Sequence, residues 1–292
     1  MDTNNITSSI ISTINTIFSK IFSSIDNNVY AILDDFTFIN SDILNDSYFS
    51  RIFGLSSGTG ILIVSNALVF GILIYYGFRL IFSHLGITEA ERPSKFIFRL
   101  IIFGICMNFS LFICDEIIYI NSLFSNTIRL IGENTLDFSI NFSTLINKLN
   151  SIISINTDAL DIFSLDGIIK TLVSFGILNL VITYSIRYVL VKVFVLLSPF
   201  AFLTLTTKPT SIIFKSWIKA FLSLLLIQDF VAIVLLLVFS LDLSPKNLFS
   251  KFILIAAIFI LIKSNSYVRE LFGGISTDFS IGMGNLKSML KK

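Results

Sequence analysis

The chain has 292 residues, of which 54% are hydrophobic and 14% charged, and a formal net charge of +2. A soluble domain carries about 25% charged residues, so this chain cannot clothe a water-facing surface, and a mean hydropathy of +0.87 makes lipid its solvent. The near-balance of charge gives no general affinity for nucleic acid, and the placement of the basic residues carries more information than their number.

The expected class is an all-α integral membrane protein. It has about five transmembrane helices, a Pro-broken segment that crosses or re-enters, and amphipathic external helices. Residues 1–18 lack a basic stretch ahead of their apolar positions, so no cleavable signal is expected and the first span serves as insertion signal. Residues 1–59 form an external segment. Ile6, Ile10, Ile14, Ile17, Ile21 and Ile25 recur at helical spacing, which predicts an amphipathic helix. Its other face is Ser, Thr and Asn without the basic residues of an anionic-lipid binder, so protein is the expected partner.

Residues 60–118 hold the first two spans, Gly60–Phe82 and Phe96–Ile113, each near the length a bilayer needs. Ala67 and Gly71 make a small-xxx-small pair that lets two helices approach closely, so they are candidates for a homo-oligomer contact. Cys106 and Cys114 share one apolar run and read as free core thiols. Residues 119–166 form an external helical loop, with Phe138, Phe142, Leu145, Leu149 and Ile152 at helical spacing. Such a loop covers the mouths of the spans or docks a partner.

Residues 167–264 hold the remaining spans. The apolar stretch 167–207 is too long for one crossing and is interrupted by Arg187, Lys192 and Pro199. It reads as two spans, or as one span followed by a half-inserted segment over 198–206. Trp217–Leu241 is the longest run. Phe252–Ile262 is short and bracketed by Lys251 and Lys263, which can snorkel to the headgroups. Residues 265–292 form a cytoplasmic tail.

Loop charge orients the chain. The segments 1–59 and 115–166 each hold two basic residues, against six and seven acids, whereas 187–219 holds five basic residues and no acid. The 79–99 loop and the tail from Lys263 are also basic. The positive-inside rule then gives five crossings, with the N-terminus outside the cell membrane and the C-terminus in the cytoplasm.

No sequence pattern for catalysis is present: no phosphate-binding loop, no H-E-x-x-H, no C-x-x-C and no nucleophile elbow. The one histidine, His84, falls at a span end. The expectation is a non-enzymatic protein without metal or cofactor. The residue most at odds with its surroundings is Asp229, beside Gln228 in the apolar run 224–237. An acid at mid-membrane costs about 2.5–3.5 kcal/mol on insertion scales. Arg187 and Lys192 are its candidate counter-charges, and a group lining a wet passage is the other reading.

The segment YVLVKVFVLLSPFAFLTLTTKPTSIIFKSWIKAFLSLLLIQ carries Ser198-Pro199, Phe200, Phe202, Thr210, Phe214 and Trp217, and Gly273-Gly274 follows the last span. Over about 188–228 it resembles the TrbL family, the polytopic inner-membrane subunit of type IV secretion systems that includes the sixth VirB-type subunit. The family often has Ala where this chain has Ser198. The first 55 residues show no specific match. The resemblance implies a channel or platform component of a conjugative DNA-transfer machine. It also implies self-association in a bacterial inner membrane, a membrane-associated ATPase partner, an extracytoplasmic stalk-like subunit, and contact with translocating DNA or protein. The alternatives are a secondary transporter, for which paired broken helices are lacking, and a small polytopic protein such as an immunity protein.

Overall fold

A computed structural model describes residues 3–54, 59–87, 91–137, 139–153, 163–241 and 247–272. Among them there is no strand, and the apolar runs become ten α-helices. Four are long and apolar enough to span a membrane, and a fifth span results if a helix pair bent by 60° is one crossing. The protein is therefore an all-α membrane protein with four or five spanning helices.

The N-terminal segment departs from a single amphipathic helix. α1 (Thr3–Asn28) carries the isoleucine stripe. Ile6, Ile10, Ile17 and Ile21 stand exposed, and only the end of the helix, at Phe22 and Ile25, is buried. The chain then breaks into α2 (Tyr30–Thr37), a 3₁₀ turn (Ser41–Leu44) and α3 (Ser47–Phe53). Each break has a local cause. Asn40 and Asp46 turn their side chains onto the N–H groups of Asp42 and Tyr48, a capping bond that competes with continued helix. Gly54, at φ +108°, closes α3 in the left-handed region where glycine costs least. These pieces pack inward, with Leu33, Ile39, Ile43, Leu44, Phe49 and Phe53 buried.

α4 (Ile61–His84) is the first span. Most of its side chains are exposed, including Phe70, Ile74 and Phe78, as suits a helix bathed in lipid. Ala67 and Gly71 lie on that open face, and nothing stands within 4 Å of a Cβ placed on Gly71. The run expected as one straight second span is instead α5 (Pro93–Asn108) and α6 (Ser110–Leu136), bent by 60°. Asn66 and Asn108 exchange amide bonds of 3.1 and 3.3 Å across α4 and α5. Cys106 lies half-buried before the bend and Cys114 buried after it, both free. α6 runs on through Asp115, Glu116 and the first third of the expected external loop, to Leu136.

α7 (Phe142–Ile153) realises the second predicted stripe, with Phe142, Leu145, Leu149 and Ile152 at most 2% exposed. Phe138 lies outside the described residues. Asp34 of α2 accepts from the N–H of Phe142 at 2.9 Å and so caps α7. Burial, the largest influence, raises its pKa above 3.8 against the opposing pull of these N–H groups. A raised carboxyl pKa makes folding favour the protonated form, so this contribution to stability is lost as pH rises through the folded value. Asp34→Asn keeps an oxygen for the cap and should remove that pH slope without loss of stability. Asp34→Ala should cost about 1 kcal/mol. Thermal unfolding of both variants between acid and neutral pH checks this.

α8 (Leu165–Leu203) begins at a Ser164 cap on Gly167. Its 39 residues extend about 58 Å at 1.5 Å each, against a hydrocarbon thickness of about 30 Å. Contrary to the expected break, it continues through Pro199 and ends in a 3₁₀ turn, Thr204–Thr206. Pro199 removes the donor that would meet the Val195 carbonyl and crowds it. Val195, Ser198, Ala201 and Phe202 are all buried, so tertiary packing overrides the local penalty. α9 (Ser211–Ser240) returns antiparallel to α8. α10 (Leu248–Phe272) is twice the expected short span. Its Lys251 pairs with Asp166 at 2.5 Å rather than snorkelling alone. Gly273, Gly274 and the remainder of the expected tail lie outside the described residues.

Candidate functional site: a buried polar layer between two cores

Among the described residues the apolar interior falls into two large parts, with a small third cluster of Tyr76, Phe96 and Leu100 between α4 and α5. One holds Leu145, Leu149, Val173, Leu180, Tyr184, Val231, Leu235 and Leu261. The other holds Ile39, Cys114, Ile118, Val191, Val195, Trp217, Phe221 and Leu225. Arg187 sits between them on α8, one turn past Tyr184 and one turn before Val191, and Gln228 sits between Leu225 and Val231 on α9. Their level is a polar layer in an otherwise apolar bundle.

Arg187 is 0% exposed, and its guanidinium reaches two other elements, α2 and α9. Nε donates to the Leu224 carbonyl at 2.6 Å, Nη1 to the Thr37 carbonyl at 2.7 Å, and Nη2 to the Leu225 carbonyl at 3.3 Å and Gln228 Oε1 at 3.2 Å. Thr37 ends α2, so Arg187 meets one of the carbonyls a helix C-terminus leaves without a partner, at the negative end of its dipole. Gln228 Oε1 also accepts from the Ile39 N–H at 3.0 Å. Asn121 of α6 donates to the Leu225 carbonyl at 3.2 Å. One turn along, the Tyr184 hydroxyl contacts the Leu261 carbonyl and Ser264, bringing α10 into the layer.

Of the expected counter-charges of Asp229, Arg187 acts on it through space without a direct contact, and Lys192 lies elsewhere. No ion pair joins Asp229 to Arg187 or Lys192, and Asp229 Oδ1 is buried without a hydrogen-bond partner. One residue along a helix is a rotation of about 100°. That rotation turns Gln228 onto Arg187 and carries Asp229 to a half-buried edge. Lys192 faces the N-terminal segment, 4.0 Å from Asp46 and over the rings of Tyr188 and Phe49 at 5.4 and 5.8 Å. Beside it, Asp35, Phe38, Ile39, Asn40, Asp42, Ile43 and Tyr188 line a cleft of about 340 Å³.

The resemblance residues converge at the corner joining α8 to α9. Phe202, Phe214 and Trp217 pack with ring centres 5.1 to 6.0 Å apart, and Trp217 stacks on Phe221. The Trp217 indole donates to the Phe194 carbonyl at 3.1 Å, one residue before the carbonyl that Pro199 leaves without a donor. Thr210 donates to the Thr204 carbonyl and meets the Thr207 hydroxyl, closing the turn. Ser198 lies beside the Cys114 thiol of α6, where a larger side chain would press on the bend. Trp217→Phe keeps the ring stack and loses the indole bond, and should cost about 1 kcal/mol in a detergent unfolding measurement.

Among the described residues no group of three or more His, Cys, Asp or Glu side chains forms a metal-binding cluster. Thr37, Ile39 and Asn121 were missed from sequence. The first two act through main-chain atoms, which carry no side-chain signature, and one buried asparagine resembles any other. No family model, no curated protein and no solved structure matches the chain.

Proposed function

We propose that the chain is a non-enzymatic, TrbL-type subunit of the membrane channel or platform of a type IV secretion machine for conjugative DNA transfer. The reading is carried by the α8–α9 corner. Of the residues that give the resemblance, Phe202, Phe214 and Trp217 pack together at the turn that Thr210 closes, and Ser198 and Pro199 lie in the last turns of α8 that lead into it. On this reading the protein self-associates in a bacterial cell membrane, with its N-terminus outside and C-terminus in the cytoplasm. The open faces of α4 and α1 offer surface for that assembly. Its further partners are a membrane-associated ATPase, an extracytoplasmic stalk-like subunit and the translocating DNA or protein.

The test is deletion of the gene in its host with measurement of conjugative transfer and of pull-down by the system's ATPase. Transfer at the parental frequency would end the reading. Alkaline phosphatase fused after Ile155 should be active and after Lys208 inactive, and activity at Lys208 would mean a further crossing over 198–206 and overturn the five-span topology. A secondary transporter is the second reading, favoured by the buried Arg187 and Gln228 with Asp229 on the half-buried edge beside them, because intramembrane ionisable groups often mark solute pathways. Solute-driven uptake in proteoliposomes, with transfer unaffected by the deletion, would select it.

A further inference from the structure

Three cations stand at the corner joining α8 to α9 with no anion to meet them. Lys208 lies in the turn, Lys215 and Lys219 lie one helical turn apart on α9, and all three are exposed. The segment 187–219 holds no acid, and among the described residues none of the three is joined to a carboxylate. Elsewhere Arg99 pairs with Glu91, Lys192 with Asp46 and Lys251 with Asp166. Residues 220–239, apolar apart from Ser223, Gln228 and Asp229, make about 30 Å of helix at 1.5 Å each, the thickness of the hydrocarbon layer. Lys219 therefore marks the edge of that layer, and Lys215 lies about 6 Å farther out, at the level of the headgroups.

Ile212, Lys215, Lys219, Leu222 and Leu226 are spaced three or four residues apart and so share one face of α9. It is the face turned away from the buried Trp217, Phe221 and Leu224. Ile212 and Leu222 are exposed on either side of the two lysines. Amines flanked in this way by exposed apolar groups sit at the boundary of headgroups and acyl chains, with their stems along the apolar surface. We propose that Lys215 and Lys219 form a binding site for an anionic phospholipid, with its phosphate between the two amines, Lys208 beside its headgroup and an acyl chain along Leu222 and Leu226. Charge and order both match, since a phospholipid presents phosphate and then hydrocarbon as this face presents amines and then leucines. A nucleic acid offers the same phosphate but nothing to cover Ile212 and Leu222. The aromatic groups on which its bases would stack are absent from this face, where Trp217 and Phe221 turn inward. The corner joins two candidate spans and lies at a membrane surface in either orientation, so the lipid site does not rest on the secretion reading.

The test is native mass spectrometry of the full chain, delipidated in mild detergent and titrated with phosphatidylglycerol or with phosphatidylcholine of the same acyl chains. Phosphatidylglycerol should bind about thirtyfold more tightly, as expected for two lysines at an anionic surface. Lys215→Gln/Lys219→Gln should abolish that preference and Lys215→Arg/Lys219→Arg should keep it. Lys95→Gln, at an exposed cation of α5, should leave it unchanged. Equal binding of the two lipids by the native chain overturns the site. So does an equal loss of preference in Lys95→Gln, which would reduce the effect to the general positive charge of the chain. Displacement of phosphatidylglycerol by a single-stranded oligonucleotide would assign the two lysines to nucleic acid and overturns the lipid site as well. Conjugative transfer is not read in this assay, so the lipid site and the secretion reading fail separately.

Discussion

Arg187→Lys is expected to destabilise the protein more than Arg187→Met. The guanidinium holds α2, α8 and α9 together through four bonds from three nitrogens. Lysine keeps the charge but carries a single nitrogen on a flexible stem, which cannot reach Thr37, Leu224 and Gln228 at once. At about 1.5–3 kcal/mol for each hydrogen bond to a charged group, losing two of them costs about 3–6 kcal/mol, with the charge still held in a site of 0% exposure. Methionine fills similar space and removes the charge. Leu224 and Leu225 remain mid-helix, where the α9 ladder serves their carbonyls, and Gln228 keeps the Ile39 N–H. The Thr37 carbonyl is the principal group left short, at about 1–3 kcal/mol. Unfolding midpoints in one detergent should therefore rank wild type above Met and Met above Lys. A lysine variant as stable as the methionine variant would show that charge alone, and not the three-way fork, is what the site uses.

The spans and the amphipathic stripes were legible because each rests on a period. The stripe of α7 is buried as its spacing required, and the apolar length of α4 sufficed to place it. Elements governed by tertiary contact were not legible. Pro199 obeys a local rule in isolation, but its neighbours are buried on several sides, and packing carries the helix four residues beyond it. The bend at Phe109 has no proline or glycine at the junction to announce it. Asp115 and Glu116 looked like the end of a span, yet they ride on the half-buried and exposed faces of a helix that continues for twenty more residues. The hydrogen-bond partners of Arg187 are not legible either: the sequence offers opposite charges, whereas the guanidinium bonds a neutral amide and carbonyls and meets Asp229 only through space. Two of those carbonyls become available only where α2 ends and where α9 passes, and neither is written in a side chain.

Asp229→Asn is expected to leave membrane abundance unchanged or to raise it. An acid paired with a buried cation would behave otherwise, because removing one partner of such a pair costs about 3–5 kcal/mol. The geometry holds no direct pair of that kind. Arg187 directs its bonds to carbonyls and Gln228, and Lys192 lies against Asp46, Tyr188 and Phe49. Asp229 Oδ1, meanwhile, is buried with no hydrogen-bond partner, so the native carboxylate bears a solvation cost that Arg187 offsets only through space. Insertion scales put a central acid at about 2.5–3.5 kcal/mol, and asparagine, of nearly equal volume, escapes most of the part that comes from charge. Gel-filtration yield and the unfolding midpoint of Asp229→Asn should equal or exceed those of the native protein. A clear fall in both would mean that the carboxylate holds the bundle together through a contact other than Arg187 or Lys192. If stability holds and transfer or transport is lost, the acid serves passage, in keeping with the pathway roles of ionisable groups inside membranes.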